Sequence, residues 1–285
     1  MSAAGRTGWQ PVLPRLHGWG LRKYAATALV SVQDALTYRA TATVWMLVDF
    51  VPALVMILVW QAAYGGRRQI EGYSLPDMVT YYLLTGVISA ALTSHAEFTM
   101  NGEVGDGRLT PQLARPIFYP VAVMCRESGW LVTKFLVGLP VFCLLACLFR
   151  AHFVVPHLSP TGWLGLVVVV LLAYLLLSEI GVCLGTISLW TVESSGLFEL
   201  WWSLGGVLSG ALLPMELLPG PLRAVATVMP HRWATYFPVR VALGKVPEGE
   251  IWTGVLAQLA WAAGLALLLM VLWRAGTRKY EGWGG

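Results

Sequence analysis

Two carboxylates stand where carboxylates are rare. Asp49 lies within the run TVWMLVDFVPALVMILVW, and Glu179 lies within LLAYLLLSEIGVCLG. A carboxylate in hydrocarbon costs several kcal/mol, so each must face protein, water or a cation. Two roles are open to both: a place on a translocation path or subunit seam, or a protonated or hydrogen-bonded contact between helices. Trp45, Trp60, Trp201 and Trp202 offer aromatic faces that suit an organic cation when a carboxylate is nearby. Trp residues also collect as anchors at membrane interfaces. Other chemistry is missing from the sequence. It has no GxxxxGK[ST] loop, no HExxH and no GxSxG, and its five His do not pair at ligand spacing on one helix. His95 and Glu97 form a weak pair near a helix end. The four cysteines, Cys125, Cys143, Cys147 and Cys183, include no CxxC pair and read as small buried hydrophobes. The expectation is a chain that is not an enzyme, with no metal site and no cofactor of its own.

The elements that must hold these residues follow from composition. Of 285 residues, 57% are apolar and 12% charged, where a soluble domain carries about 25% charged residues. Mean hydropathy is +0.66. The net charge of +4 is too small and too scattered to track a phosphate backbone, which excludes nucleic acid as a partner. The chain belongs in lipid. No apolar core followed by a small-residue cleavage site occurs in the first 42 residues, so no signal peptide is expected to be removed.

A spanning helix needs about 20 mostly apolar residues. Six stretches qualify at 43–64, 78–98, 129–149, 163–190, 197–213 and 251–273. Between the last two lies an apolar stretch, 214–244, broken by Pro214, Pro219, Pro221, Pro230 and Pro238. Proline removes a backbone donor and breaks helices. Short helical pieces dipping in from one side, sheltered by protein or water, fit this stretch. Before the first span, 22–39 reads as an interfacial helix, with Ala25, Leu29, Val32 and Leu36 on one face and Lys23, Thr27, Ser31 and Asp34 on the other. The expected fold is all-α: a polytopic membrane protein with six transmembrane helices, an amino-terminal amphipathic interfacial helix and a re-entrant helical hairpin before the last span. Residues 1–42 form the cytoplasmic amino terminus. Residues 43–273 form the membrane domain, with an inner loop at 99–118 and an outer region at 214–244. Residues 274–285 form a cytoplasmic tail. Lys and Arg are more numerous in the loops on the amino-terminal side than on the other, which places both termini in the cytoplasm.

Three further patterns bear on packing and partners. Gly181 with Gly185, and Gly206 with Gly210, form GxxxG pairs that let helices approach closely, within the bundle or at a dimer seam. The inner segment from Glu103 to Pro116 holds a short helical piece with Leu109 and Leu113 on one face. It is either a solvated connector or an element docking a cytoplasmic partner through apolar anchors.

The order of these parts resembles the membrane subunit of a bacterial type-2 ABC exporter, in the subgroup of permeases encoded apart from their ATPase. The amphipathic stretch ending Tyr38-Arg39 is similar to the family's connecting helix. Glu103, Gly105, Leu109, Leu113, Arg115 and Pro116 are similar to its coupling loop, although Asp106-Gly107 is more polar than the usual pattern. Leu213-Pro214, Leu218-Pro219, Met229-Pro230, Phe237-Pro238 and Leu243-Gly244 are similar to its re-entrant hairpin. The tail Gly276-Thr277-Arg278-Lys279-Tyr280-Glu281-Gly282 is similar to the subgroup's closing pattern. The resemblance implies two permeases, identical or different, forming the pathway in the bacterial cytoplasmic membrane. Two ATPase subunits would bind ATP and magnesium below them. Their closure would be felt through the connecting helix and coupling residues. On this reading a hydrophobic or amphipathic compound, with a cationic drug-like molecule as one option, is exported along spans one, two and five. The alternative is an ion-coupled secondary transporter using Asp49 and Glu179 as proton carriers, which would transport without ATP.

Overall fold

The computed structural model describes residues 20–280 apart from 38, 156 and 192, and leaves aside the side chains of 39, 41, 42, 45 and 46. The chain is 79% helical, with no strand among the described residues. Its helices are α1 (Gly20–Thr37), α2 (Arg39–Tyr64), α3 (Leu75–Leu92), α4 (Ala96–Gly105), α5 (Leu109–Leu113), α6 (Tyr119–Leu148), α7 (Pro160–Thr186), α8 (Ser195–Leu208), α9 (Gly220–Val228), α10 (Phe237–Ala242) and α11 (Glu248–Thr277). A π turn, Arg232–Tyr236, leads into α10. The starts of the long helices are written locally. Ser74 and Asp77 form a reciprocal capping box on α3, Ser159 caps α7, and Pro occupies the first turn of both.

Among the described residues, five segments are long and apolar enough to cross a membrane: Leu47–Tyr64, Leu75–Gly105, Tyr119–Leu148, Pro160–Leu189 and Glu248–Thr277. Two expectations change in detail. The stretch 78–98 is not one helix, because the chain breaks at 93–95 before α4 begins. The stretch 197–213 is helical only within the 14 residues of α8. That is about 21 Å of rise, short of a hydrocarbon core of about 30 Å. Gly210, at φ +82, turns the chain out of α8.

α7 and α11 run side by side in the same direction. Gly165 near the start of α7 meets Ile251, and Leu189 just past its end meets Gly276. The chain between them must therefore travel the length of the bundle. α8 makes most of that journey. Ser194, just before α8, bonds Asn101 at 2.9 Å, and the Gly210 carbonyl just after it accepts from Tyr81 at 2.5 Å. The Pro-rich segment then descends and returns. Its ends, Glu216 and Lys245, bond Tyr73 and Asp77 at the start of α3. Its middle, His231, lies against Gly205, Trp201 and Trp202 of α8. The segment thus holds two short helical pieces, α9 and α10, on either side of His231.

Four apolar clusters form among the described residues, and the two largest lie toward opposite ends of the bundle. One surrounds Phe50, Ile57, Met78, Tyr81 and Tyr82; the other surrounds Met100, Val104, Leu109, Tyr119 and Trp273. Asp49, Glu97, Glu127, Lys134 and Glu179 fall between them. Asp49 is about 22 Å of helix from Tyr64, Lys134 about 21 Å from Leu148, and Glu179 about 28 Å from Pro160. The charged level therefore lies part-way along these helices, between the two clusters.

α1 packs lengthwise on the inner part of α6. The Phe118 amide donates to the Tyr24 hydroxyl at 3.0 Å, Ser31 donates to the Arg126 carbonyl, and Gly129 leaves room for Ser31 where a Cβ would collide. The expected apolar face of this helix is not the buried one. Leu29 is 63% exposed and Leu36 41%, while Ser31 and Ala35 are buried. Small side chains allow the close approach to α6, and the leucines are left facing outward.

Candidate functional site

A cavity of about 360 Å³ lies between α2, α3 and the α8 segment. Its walls come from Pro52, Ala53 and Met56, from Tyr82, Thr85 and Gly86, and from Ser203, Gly206 and Val207, with Asp49 among the lining residues. The local sequence makes this space. Gly86 admits the Phe50 ring at 2.9 Å from where a Cβ would sit, which draws α2 and α3 together. Gly206 has nothing within 4 Å of its Cβ position, so α8 stands off. Pro52 cannot donate within α2, leaving a backbone acceptor without its helical partner beside the cavity. Thr85 Oγ1 is buried and unpartnered. The lining is thus mainly apolar, with Asp49 supplying its charge.

Not every expected pathway residue lines this space. Trp60 is 9% exposed and donates to the Tyr82 hydroxyl at 2.9 Å, while Tyr82 donates to the Leu212 carbonyl at 2.9 Å. Trp60 therefore holds a wall residue in place. Trp201 and Trp202 lie on the other face of α8. Trp201 packs on His231 with centroids 5.2 Å apart, and Trp202 Nε1 donates to Glu97 Oε1 at 2.8 Å. α8 turns its small residues to the cavity and its large rings to the bundle. The Trp45 side chain lies outside the described residues.

Glu179 lines a different cavity, of about 460 Å³, between α6, α7 and α11, beside Cys125, Ser128 and Met270. Its Oε2 has no partner. Asp49 and Glu179 are not brought together. Asp49 instead shares its electrostatic surroundings with Lys134, whose Nζ donates to the Thr93 carbonyl at 2.6 Å. At the same break Glu127 accepts from the His95 amide at 3.3 Å and the Thr99 hydroxyl at 3.2 Å. The interruption between α3 and α4 is thus satisfied by a cation and a carboxylate from α6. Glu97 is a residue that sequence reasoning noted only as a partner for His95. It is fully buried, with His95 4.0 Å away and Oε2 unpartnered. Among the described residues no group of three His, Cys, Asp or Glu gathers as metal ligands.

The glycine pairs separate. A Cβ on Gly181 would lie 2.9 Å from Glu97 Oε2, and one on Gly185 would lie 2.8 Å from Met100 Cβ, so this pair seats α4 against α7 within the chain. Gly206 and Gly210 do not form one helix face, because Gly210 lies beyond the end of α8.

In the inner segment, Glu103 is buried and receives Tyr119 at 2.5 Å and Arg126 at 2.6 and 3.2 Å. Gly105 ends α4, and Gly107 at φ +71 makes the turn to α5. Leu109 is fully buried in the second core and Leu113 packs partly against it. The expected apolar anchors therefore point inward, since the short α5 is held to the bundle by the very face that periodicity identifies. Arg115 and Pro116 are exposed, and the Pro116 carbonyl accepts from Lys23 at 3.2 Å.

At the opposite end of the bundle, Glu216 accepts from Tyr236 at 2.5 Å and Tyr73 at 3.3 Å and pairs with Arg240 at 3.3 Å. Burial, reinforced by the Glu216 carboxylate, pushes the Tyr236 hydroxyl up to about 12 and raises Tyr73 further. Lys245 binds Asp77 at 3.1 Å. This lock joins residues 143 positions apart. Its sequence signal is a single carboxylate, Glu216, within the Pro-rich apolar stretch.

A helical bundle of membrane-spanning length, a lateral apolar cavity with one charge on its wall and a hairpin closing one end define a multi-pass membrane protein of the transport class. The sequence pattern of the ABC-2 family transporter proteins matches residues 50–284, and the chain belongs to that family. It is therefore the membrane component of an ABC transporter rather than the ATPase, and its partner is an ATP-binding component. Comparison with curated proteins finds no match, and neither does comparison with solved structures.

Proposed function

We propose that the chain is one permease of a pair in an ATP-driven exporter of hydrophobic or amphipathic compounds. The observation that carries this reading is the cavity between α2, α3 and α8. It has mainly apolar walls, and Asp49 of α2 is among the residues that line it. A compound partitioned into the inner leaflet enters the cavity, and a cationic group on it finds a carboxylate there. The second permease, a copy or a relative, covers the open side. The parallel course of α7 and α11 supports a topology in which the 190–247 segment completes a sixth crossing, with both termini cytoplasmic. Two ATPase subunits hold ATP and magnesium at the inner end, and the outer lock holds the hairpin shut in the resting state.

Cavity chemistry is tested at Asp49. In cells expressing the whole transporter, Asp49→Asn lowers efflux of a lipophilic cation about tenfold, the factor given by 1.4 kcal/mol. Efflux of a neutral analogue of equal size stays within about twofold. Equal loss for both compounds removes the role of charge.

A further inference from the structure

We propose that the surface receiving the ATPase is composite, made of α5 together with the carboxyl-terminal end of α11, and that it fits an acidic rim on the partner. This rests on the permease reading above. Tyr280 follows α11 and packs against the second core that buries Leu109, and its hydroxyl lies 3.1 Å from Thr110 Oγ1 on α5. Trp273 of α11 stacks on Tyr119 at 5.5 Å, the residue that also bonds Glu103. The end of α11 and the coupling segment are therefore one packed unit. With Leu109 turned inward, what this unit shows to a partner is polar and basic. Lys23, Arg108, Arg115, Arg274, Arg278 and Lys279 are exposed around it. Against them stand Asp106, engaged by Arg108 at 2.7 Å, and Glu193 in the turn before α8. Charges on the rim of a docking surface govern encounter and orientation more than packing does.

The arrangement gives the partner a direct hold on the outer hairpin. α11 is an uninterrupted helix of 30 residues with no proline. Toward its other end, Gly254 receives the Phe237 ring so closely that a Cβ would overlap it. Gln258, fully buried, donates through Nε2 to the Trp233 carbonyl at 2.9 Å and the Val169 carbonyl at 3.0 Å. Trp233 lies in the π turn, where the wider winding leaves a carbonyl for a side chain to satisfy. A displacement applied at Tyr280 thus reaches the hairpin through one rigid element.

The test uses the full permease co-expressed with its ATPase. R278E/K279E, both exposed, lowers the ATPase recovered with the permease about fivefold or more. R67E/R68E, on the α2–α3 loop at the other end, leaves recovery unchanged. In a second measurement, Lys279→Cys in inside-out vesicles reacts with a water-soluble maleimide when the permease is expressed alone and is protected when the ATPase is present. Unchanged recovery with R278E/K279E, or an unprotected Lys279→Cys, overturns the composite surface. So does R278E/K279E losing binding to phosphatidylglycerol vesicles with ATPase recovery intact, which assigns the cations to lipid headgroups. If the unsubstituted permease recovers no ATPase, the permease reading falls and this surface with it.

Discussion

Glycines at different depths of this bundle do opposite work, and substitution separates them. Gly185 meets Met100 Cβ and Sδ at 2.8 Å, whereas Gly206 faces open space. Gly185→Val overpacks the α4–α7 contact and destabilises by about 1–3 kcal/mol, measured as a lower melting temperature in detergent. Gly206→Leu leaves the melting temperature unchanged or slightly raised, because it removes a helix-interior glycine, yet it fills the cavity and lowers export. A Gly206→Leu variant that transports normally would disconnect the cavity from the pathway. At this scale residue type and spacing do not say which way a side chain faces. Trp201 and Trp202 were candidates by type, but the small face of α8 is the one that opens on the cavity. Leu109 and Leu113 were found by spacing, and spacing is silent on whether a short helix's apolar face docks outward or inward. Glu97 carries no motif, and only the approach of Gly181 and Trp202 shows that it is buried.

Among the elements, those whose outlines were legible are those set by composition and local caps. Runs of about 20 apolar residues locate the long helices. Ser159-Pro160 and Ser74 with Asp77 mark two of their starts, and five prolines mark the hairpin. The break at 93–95 was hidden, because its backbone groups are satisfied by Lys134 and Glu127 on another helix. The end of α8 was hidden because an apolar run continues through Gly210 into the hairpin. That hairpin is held by Glu216, Tyr73, Tyr236 and Arg240, and the phenol shifts fix its pH response. A raised folded value means that the contribution of these hydroxyls is complete below the ordinary phenol value of about 10 and is lost only as pH climbs through about 12 at Tyr236. Protection factors of the amides in 232–242 are therefore flat between pH 6 and 9, while Glu216→Gln lowers them at every pH in that range. A protection step inside that window would mean that another titrating group holds the hairpin.

At the scale of the whole molecule, the two largest of four apolar clusters lie toward opposite ends of the bundle, with Asp49, Lys134 and Glu179 between them. The cluster around Leu109 binds α4, α5, the start of α6 and the ends of α7 and α11 into a block from which the ATPase can work. Composition alone foretold a membrane protein, and the order of its parts foretold the family. The separate cluster around Leu109 was not legible, because its contacts join residues as distant as Leu109 and Trp273. The central claim is that this chain is a passive pathway driven by another molecule's ATP hydrolysis. It is tested most directly in proteoliposomes holding the purified permease with or without its ATPase, loaded with a fluorescent lipophilic cation. The account predicts movement only with both components and ATP present, abolished when ATP is replaced by a non-hydrolysable analogue. Movement by the permease alone, driven by an imposed pH gradient and indifferent to ATP, would contradict it.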